Sequence, residues 1–259
     1  MYNTITYQVE AGVAVITLNQ PQVMNALSTL LRAEMRKAVL RAEAEARVLV
    51  ITGAGRAFCS GQDLADASDD SGGVLNLERV LNEEYVPLLK AITDCQIPTI
   101  SAVNGAAAGA GANLALAADV VIATENASFI QAFTRIGLVP DAGGSYWLPR
   151  QIGLARAMGS ILFADKVSAK QAADWGMIYE TVPDQGFSAH WQARALSLAN
   201  GPTLAYRGVK QALRASFGND LDQQLALEAR LQGECGATED FREGVAAFME
   251  KRAAKFRGK

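Results

Sequence analysis

Two short runs constrain this chain more than anything else in it. Val48-Leu-Val-Ile-Thr-Gly53 and Pro98-Thr-Ile-Ser-Ala-Val103 are apolar without alternation, the pattern of strands covered on both faces. Such strands need helices above and below them, and the sequence around them supplies helical patterns. Within residues 25–46, Leu27, Leu31, Met35 and Val39 recur every four positions, with Arg32, Glu34, Arg36 and Lys37 on the other face. Residues 75–93 also read as helix. Ahead of them, residues 4–9 and 13–18 are β-branched runs separated by Glu10-Ala-Gly12, a hairpin signal. Residues 119–123 and 128–131 add two short strands. From about Ser145 the pattern is helical at 147–163, 168–175, 188–199, 202–215, 221–232 and 238–251, interrupted by a strand at 177–182. The expected fold class is α/β, with a mixed unit over 1–185 and a helical region over 186–259. No repeat of fixed period is visible.

Composition enters as a filter on chemistry. The chain of 259 residues is 50% hydrophobic, with 24 Lys and Arg against 27 Asp and Glu, a net charge of −3. Nucleic-acid binding normally needs clustered cations, and no basic run occurs before the last dozen residues. Cys59, Cys95 and Cys235 form no CxxC pair, giving neither a disulfide framework nor a zinc site, and they fit a reducing cytoplasm. The N-terminus has no basic and apolar leader, and the longest apolar stretch, 106–122, is broken by Asn113 and Asp119, so neither secretion nor a membrane span is expected. The single histidine, His190, opens an amphipathic helix far from any glycine-rich element and reads as a surface or packing residue. No metal site is expected, and proton chemistry falls to carboxylates.

Three segments could carry it. Ala57-Phe-Cys-Ser-Gly-Gln-Asp-Leu64 and Gly109-Ala-Gly-Ala-Asn113 each offer main-chain N–H groups beside small residues, where an anionic oxygen could be held or where a Gly/Ala helix could simply pack closely on a sheet. Neither is a dinucleotide fingerprint or a P-loop. The third, Phe133-Thr-Arg-Ile-Gly-Leu-Val-Pro-Asp141-Ala-Gly-Gly144, isolates Asp141 in apolar surroundings. That carboxylate either caps the helix starting near Gly144 or, in a dry pocket, is raised in pKa into use as a base. The polar, acidic stretch 65–73 reads as a mobile loop.

Taken in order, Leu18-Asn-Gln-Pro-Gln-Val-Met-Asn-Ala-Leu27, Arg56-Ala-Phe-Cys-Ser-Gly-Gln-Asp-Leu64, residues 98–111, Ile136-Gly-Leu-Val-Pro-Asp-Ala-Gly-Gly144 and Ala172-Ala-Asp-Trp-Gly-Met177 resemble the crotonase superfamily, the enoyl-CoA hydratase/isomerase family, from end to end. The resemblance implies a crotonase spiral of ββα units with a helical C-terminal trimerisation region. It further implies a homotrimer or homohexamer, an acyl-CoA thioester substrate and no cofactor beyond the coenzyme A of that substrate. It puts the oxyanion-hole amides on Gln62 and Ala110, and the acyl-CoA contacts on Met24, Ala57, Ser60, Gly61, Asp63, Gly109, Asn113 and Phe133. Phosphate contacts are expected from the basic tail, 251–259, of the same or a neighbouring subunit; the tail reads equally as a solvated helix end with cations at the negative dipole.

Departures from the hydratases set the expected reaction. The two glutamates that manage water in hydratases align with Asn113 and Phe133, neither of which can move a proton. Asp141 stands where certain isomerases, and the chlorobenzoyl-CoA dehalogenases, place a functional aspartate, while the dehalogenases' tryptophan (at Phe133) and histidine (near Leu89) are missing. Residues 132–150 and 240–252 most resemble the ring-epoxide isomerases of phenylacetate degradation. The expectation is an acyl-CoA isomerase with Asp141 as its acid/base. The alternatives are a hydratase using Asp141 alone and a catalytically silent acyl-CoA-binding homologue.

Overall fold

The computed structural model of the chain describes residues 2–63 and 76–259. The loop at 65–73 lies outside the described residues. Strands β1 (Ile5–Glu10) and β2 (Val13–Leu18) form the expected antiparallel hairpin. Strand β2 then pairs in parallel with β3 (Val48–Gly53), followed across the same sheet by β5 (Thr99–Val103), β7 (Val120–Thr124) and β10 (Glu180–Val182). The unbroken apolar run of β3 has a direct cause. Val48 and Val50 pack with Ile100, Ile122 and the helix α7 (Phe187–Ala199), whereas Leu49 and Ile51 belong to the larger core that includes α1 (Thr29–Glu45).

A second sheet runs β4 (Ala57–Cys59), β6 (Ala106–Ala108), β8 (Ser128–Ile130) and β9 (Val167–Ser168). Only β8 is visible in the sequence pattern. The others are two or three residues long, too short for a period of two to register. Each leads out of a strand of the large sheet, as β3–β4, β5–β6 and β7–β8, and a helical segment follows each pair. That recurring unit stacks the turns following β4, β6 and β8 along one edge.

Helix α1 starts four residues later than the apolar period suggests, because Ser28 caps it and residues 21–27 form a 3-10 turn and a bridge strand. Two polar residues assigned to its solvent face are instead buried. Glu34 accepts hydrogen bonds from the N–H groups of Asn3 and Thr4 and from the Thr4 hydroxyl. Arg32 points towards the second sheet. The helical stretch 77–93 comprises α2 (Leu77–Val80), a π turn at Leu81–Tyr85 and α3 (Val86–Thr93). Pro87 has no N–H to continue the ladder, which accounts for the widened turn before it.

Beyond α4 (Ala110–Leu116), α5 (Gly144–Leu162) and α6 (Ala169–Asp174), the chain from α7 onward is helical: α8 (Thr203–Ala215), α9 (Leu221–Gly236) and α10 (Glu239–Glu250). Asp119 holds α8 to the core through Lys210 at 2.7 Å and Arg214 at 2.6 Å. Helix α10 stops at Glu250, and the basic tail turns back instead of extending it. Arg252 pairs with Glu243 and Glu250, and the N–H groups of Arg257 and Gly258 donate to the buried Asp240. Lys251 itself is the C-cap of α10, so the start of the tail does place cations at the helix's negative end. No helix of the described residues is long and apolar enough to cross a membrane.

Asn25 joins the two sheets' connections. It is buried at a left-handed φ of 55°, donates to the carbonyls of Ala54, Ala57 and Phe58, and accepts from the N–H of Gln20. Asn25→Ala leaves three carbonyls and an N–H without that amide and puts alanine in a strained conformation. We expect a loss on the order of 3 kcal/mol in chemical denaturation.

Candidate active site

Two stretches of backbone meet behind the end of β4. A parallel bridge joins Leu27 to Gln62: the Leu27 N–H donates to the Gly61 carbonyl at 2.8 Å, and the Asp63 N–H to the Leu27 carbonyl at 3.4 Å. A parallel pairing uses the residues on either side of the partner, so the N–H of Gln62 itself points away from the bridge. Gly61, at φ 97°, lies so close to the second stretch that a Cβ on it would stand 2.8 Å from the Ala108 carbonyl oxygen and 3.6 Å from the Ala110 nitrogen. Ala110 is the first residue of α4, where an N–H has no partner within the helix. Two main-chain donors, neither with a backbone acceptor among the described residues, thus sit side by side.

Asp141 is carried by the turn before α5. The turn is strained, with Ala142 at φ 46° followed by Gly143 at φ 85°. Gly143 caps α5 without any side-chain bond, so Asp141 does not serve as the helix cap. Its Oδ1 is buried and has no hydrogen-bond partner among the described residues. Burial raises its pKa from 3.8 to about 6, opposed by a hydrogen bond from its own backbone. The backbone of Asp141 is held firmly: its carbonyl accepts the Gly144 N–H at 2.9 Å and the Nδ2 of Asn113 at 2.7 Å. Asn113 is 0% exposed, and its Oδ1 accepts from Gln131 Nε2 at 2.8 Å. A Cβ on Gly144 would fall 2.4 Å from that Nδ2, so the carboxamide and the turn fit together only with glycine there.

A partly desolvated carboxylate and a pair of main-chain amides can together move a proton next to a carbonyl that the amides polarise. Comparison with known proteins bears on which carbonyl. Residues 8–259 match the enoyl-CoA hydratase/isomerase family model. The chain belongs to the enoyl-CoA hydratase/isomerase family. A protein of Rhodobacter capsulatus described as a probable enoyl-CoA hydratase is 61% identical over 100% of this chain and 99% of its own. The 1,2-epoxyphenylacetyl-CoA isomerase of Escherichia coli is 43% identical over 100% of both. Among solved structures, the enoyl-CoA hydratase of Bacillus anthracis superposes with a TM-score of 0.93 at 31% identity, covering 99% of this chain and 100% of that one. The two-sheet architecture is the crotonase fold, and this member of the hydratase/isomerase family is an enzyme of that class.

Most residues picked out by sequence converge here. Met24 and Ser60 lie together, the Ser60 N–H donating to the Met24 carbonyl at 3.0 Å, and Gly109, at φ 52°, faces Phe133. Ala57 is buried in β4, its carbonyl accepting from Asn25. Asn113, expected to touch substrate or cap α4, has its amide hydrogen-bonded to Gln131 and to the Asp141 carbonyl inside the protein. His190 is remote from Asp141 in the fold and pairs with Glu180 at 2.9 Å on the surface of α7. Sequence reasoning missed Gln131, Arg32 and Tyr85, which are buried, and the half-buried Glu84; no local pattern signals their roles.

The Asp141 shift fixes a stability test. A carboxyl whose pKa is raised on folding favours the native state below pH 3.8 and loses that contribution as pH rises through about 6. Asp141→Asn removes the loss, so the Tm of the variant relative to the wild type should climb between pH 4 and 7 and level off above. A difference that stays flat with pH would mean that the carboxyl titrates normally.

Proposed function

We propose that this enzyme is an acyl-CoA isomerase in which Asp141 shuttles one proton while the amides of Gln62 and Ala110 hold the thioester oxygen. The observation that carries the reading is the half-buried Asp141, whose Oδ1 has no hydrogen-bond partner among the described residues, in a site whose hydratase glutamate positions are an internally bonded amide, Asn113, and a buried phenyl ring, Phe133. Removal of a proton beside the carbonyl leaves an enolate. Each main-chain donor aimed at the enolate oxygen contributes on the order of 3 kcal/mol. Return of the same proton two carbons further on converts a 3-enoyl to a 2-enoyl thioester with no atom gained or lost. The same group can assist opening and expansion of a ring epoxide, the chemistry named for the Escherichia coli relative.

Hydration is the second reading, favoured by the description of the Rhodobacter relative. Asp141 would then have to activate water alone. Turnover of ring-epoxidised phenylacetyl-CoA, a cis-3-enoyl-CoA and crotonyl-CoA separates the two. We expect the first or second to be isomerised and crotonyl-CoA to keep its conjugated absorbance. In the isomerase assay kcat/KM should rise along an acid limb near pH 6, and Asp141→Asn should abolish turnover while acyl-CoA still binds. Loss of the crotonyl absorbance at a comparable rate would favour the hydratase.

We further propose a homotrimer, alone or paired into a hexamer. Phe248 is 81% and Met249 75% exposed on α10, Leu213 on α8 and Phe217 just after it are exposed too, and α8, α9 and α10 flank an apolar cleft of about 710 Å³. Apolar surface on that scale is unusual on a lone chain. Light scattering should return three or six copies, and Phe248→Asp should lower that number.

A further inference from the structure

Arg32 is 2% exposed, deep enough that an unpaired guanidinium would be very costly, yet every direction of its fork is answered. Its Nε and Nη2 donate to Glu84 Oε2 at 3.0 and 2.5 Å, Nη2 also to Thr29 Oγ1 at 3.0 Å, and Nη1 to Gln62 Oε1 at 3.0 Å and to the Leu27 carbonyl. Gln62 Oε1 takes a second donor, the hydroxyl of Tyr85, at 2.5 Å, and Gln62 Nε2 donates to the Asp63 carbonyl at 3.1 Å. The Arg32 guanidinium also lies over the Tyr85 ring, 4.7 Å from its centroid.

These bonds clamp both sides of the Leu27–Gln62 bridge. The Leu27 carbonyl is gripped by Arg32 and by the Asp63 N–H, while the side chain of Gln62 is gripped by Arg32 and Tyr85. The peptide whose N–H projects beside Ala110 therefore cannot rotate without breaking several buried bonds at once. Glu84 and Tyr85 reach this cluster as adjacent residues because both sit in the π turn Leu81–Tyr85, a device that often marks functional positions in helices. Tyr85 is buried; its hydroxyl is pushed above its ordinary pKa chiefly by burial and in smaller part by the charge of Asp141, so the tyrosine stands within electrostatic reach of that carboxylate.

We propose that Arg32 and Tyr85, acting through the side chain of Gln62, are positioning residues that aim the Gln62 N–H at the thioester oxygen. This rests on the oxyanion role proposed above for that amide. Neither residue need touch the substrate: alignment of the donor to the place where charge develops is what governs its effect, and a displacement of about 1 Å can cost roughly 100-fold in rate. The network stabilises one orientation of a peptide bond, and the guanidinium serves here as a fixed fork that lysine could not reproduce.

The test uses the full-length protein with 2,4-hexadienoyl-CoA, a conjugated thioester whose absorption moves to longer wavelength when its carbonyl oxygen accepts hydrogen bonds. Gln62→Met keeps the backbone N–H and removes the acceptor; Tyr85→Phe removes a single hydroxyl and is the conservative partner should Arg32→Met fail to fold. We expect wild-type protein to shift the bound probe's absorption, and Gln62→Met and Tyr85→Phe to shrink that shift and lower kcat about 10- to 100-fold with KM little changed. Variants that keep the wild-type shift, whatever their kcat, would overturn the positioning role while leaving the oxyanion reading intact. Wild-type protein that binds the probe without any shift would overturn the oxyanion reading itself, and this inference with it.

Discussion

The arrangement depends on how closely two backbones approach. Between residues 57–62 and 105–111 there is no room for side chains: a Cβ on Gly111 would stand 2.4 Å from the Cys59 carbonyl oxygen, and one on Gly61 2.8 Å from that of Ala108. The strands here pair as parallel ladders, β4 with β6 and β6 with β8, so hydrogen bonds between main chains set their spacing. Because the strands of the second sheet touch this way, the N–H groups at their ends share one small volume. The site is a by-product of close packing, and the large sheet, with its covered valines and isoleucines, keeps that packing in register.

Two charged groups near this junction, Arg32 buried and Asp141 half-buried, have opposite treatments. Arg32 is surrounded by acceptors and a carboxylate, so its charge serves as a rigid connector. Asp141 has an oxygen with no partner among the described residues, and its ionisation is correspondingly suppressed. A structure selected for stability alone would have given Asp141 the donor it lacks; Trp147 Nε1, likewise buried without a partner, packs against Gly143 two residues away without answering it. Leaving a carboxylate incomplete costs stability and retains basicity that would otherwise be quenched.

The sequence was legible where residues repeat a pattern over a full strand or helix. The valines and isoleucines of β3 and the leucines of α1 declare their elements because burial selects them at fixed spacing. The glycines and Asp141 were readable as a set because free amides and an isolated carboxylate need small neighbours. Three kinds of feature were hidden. Strands β4, β6 and β9 are too short to show a period. Arg32 and Glu34 look like solvent-facing residues of α1 because only partners distant in sequence, Glu84 and Gln62 for the one and Asn3 and Thr4 for the other, make their burial tolerable. The partners of the Asn113 amide were hidden because nothing local indicates that Gln131 and the Asp141 carbonyl lie on either side of it.

The π turn at Leu81–Tyr85 has a consequence for how such a pocket can diverge. A π turn holds one residue more than the α-helical turn it replaces, so losing a single codon there would restore a regular helix without breaking the chain. Every side chain on one side of the deletion would then swing by about 100° around the helix axis relative to the other side. Glu84 and Tyr85 would leave their present neighbours, and different residues would come to face the bridge between Leu27 and Gln62. A lineage could thus exchange the whole wall behind its substrate in one genetic step, without accumulating substitutions one at a time.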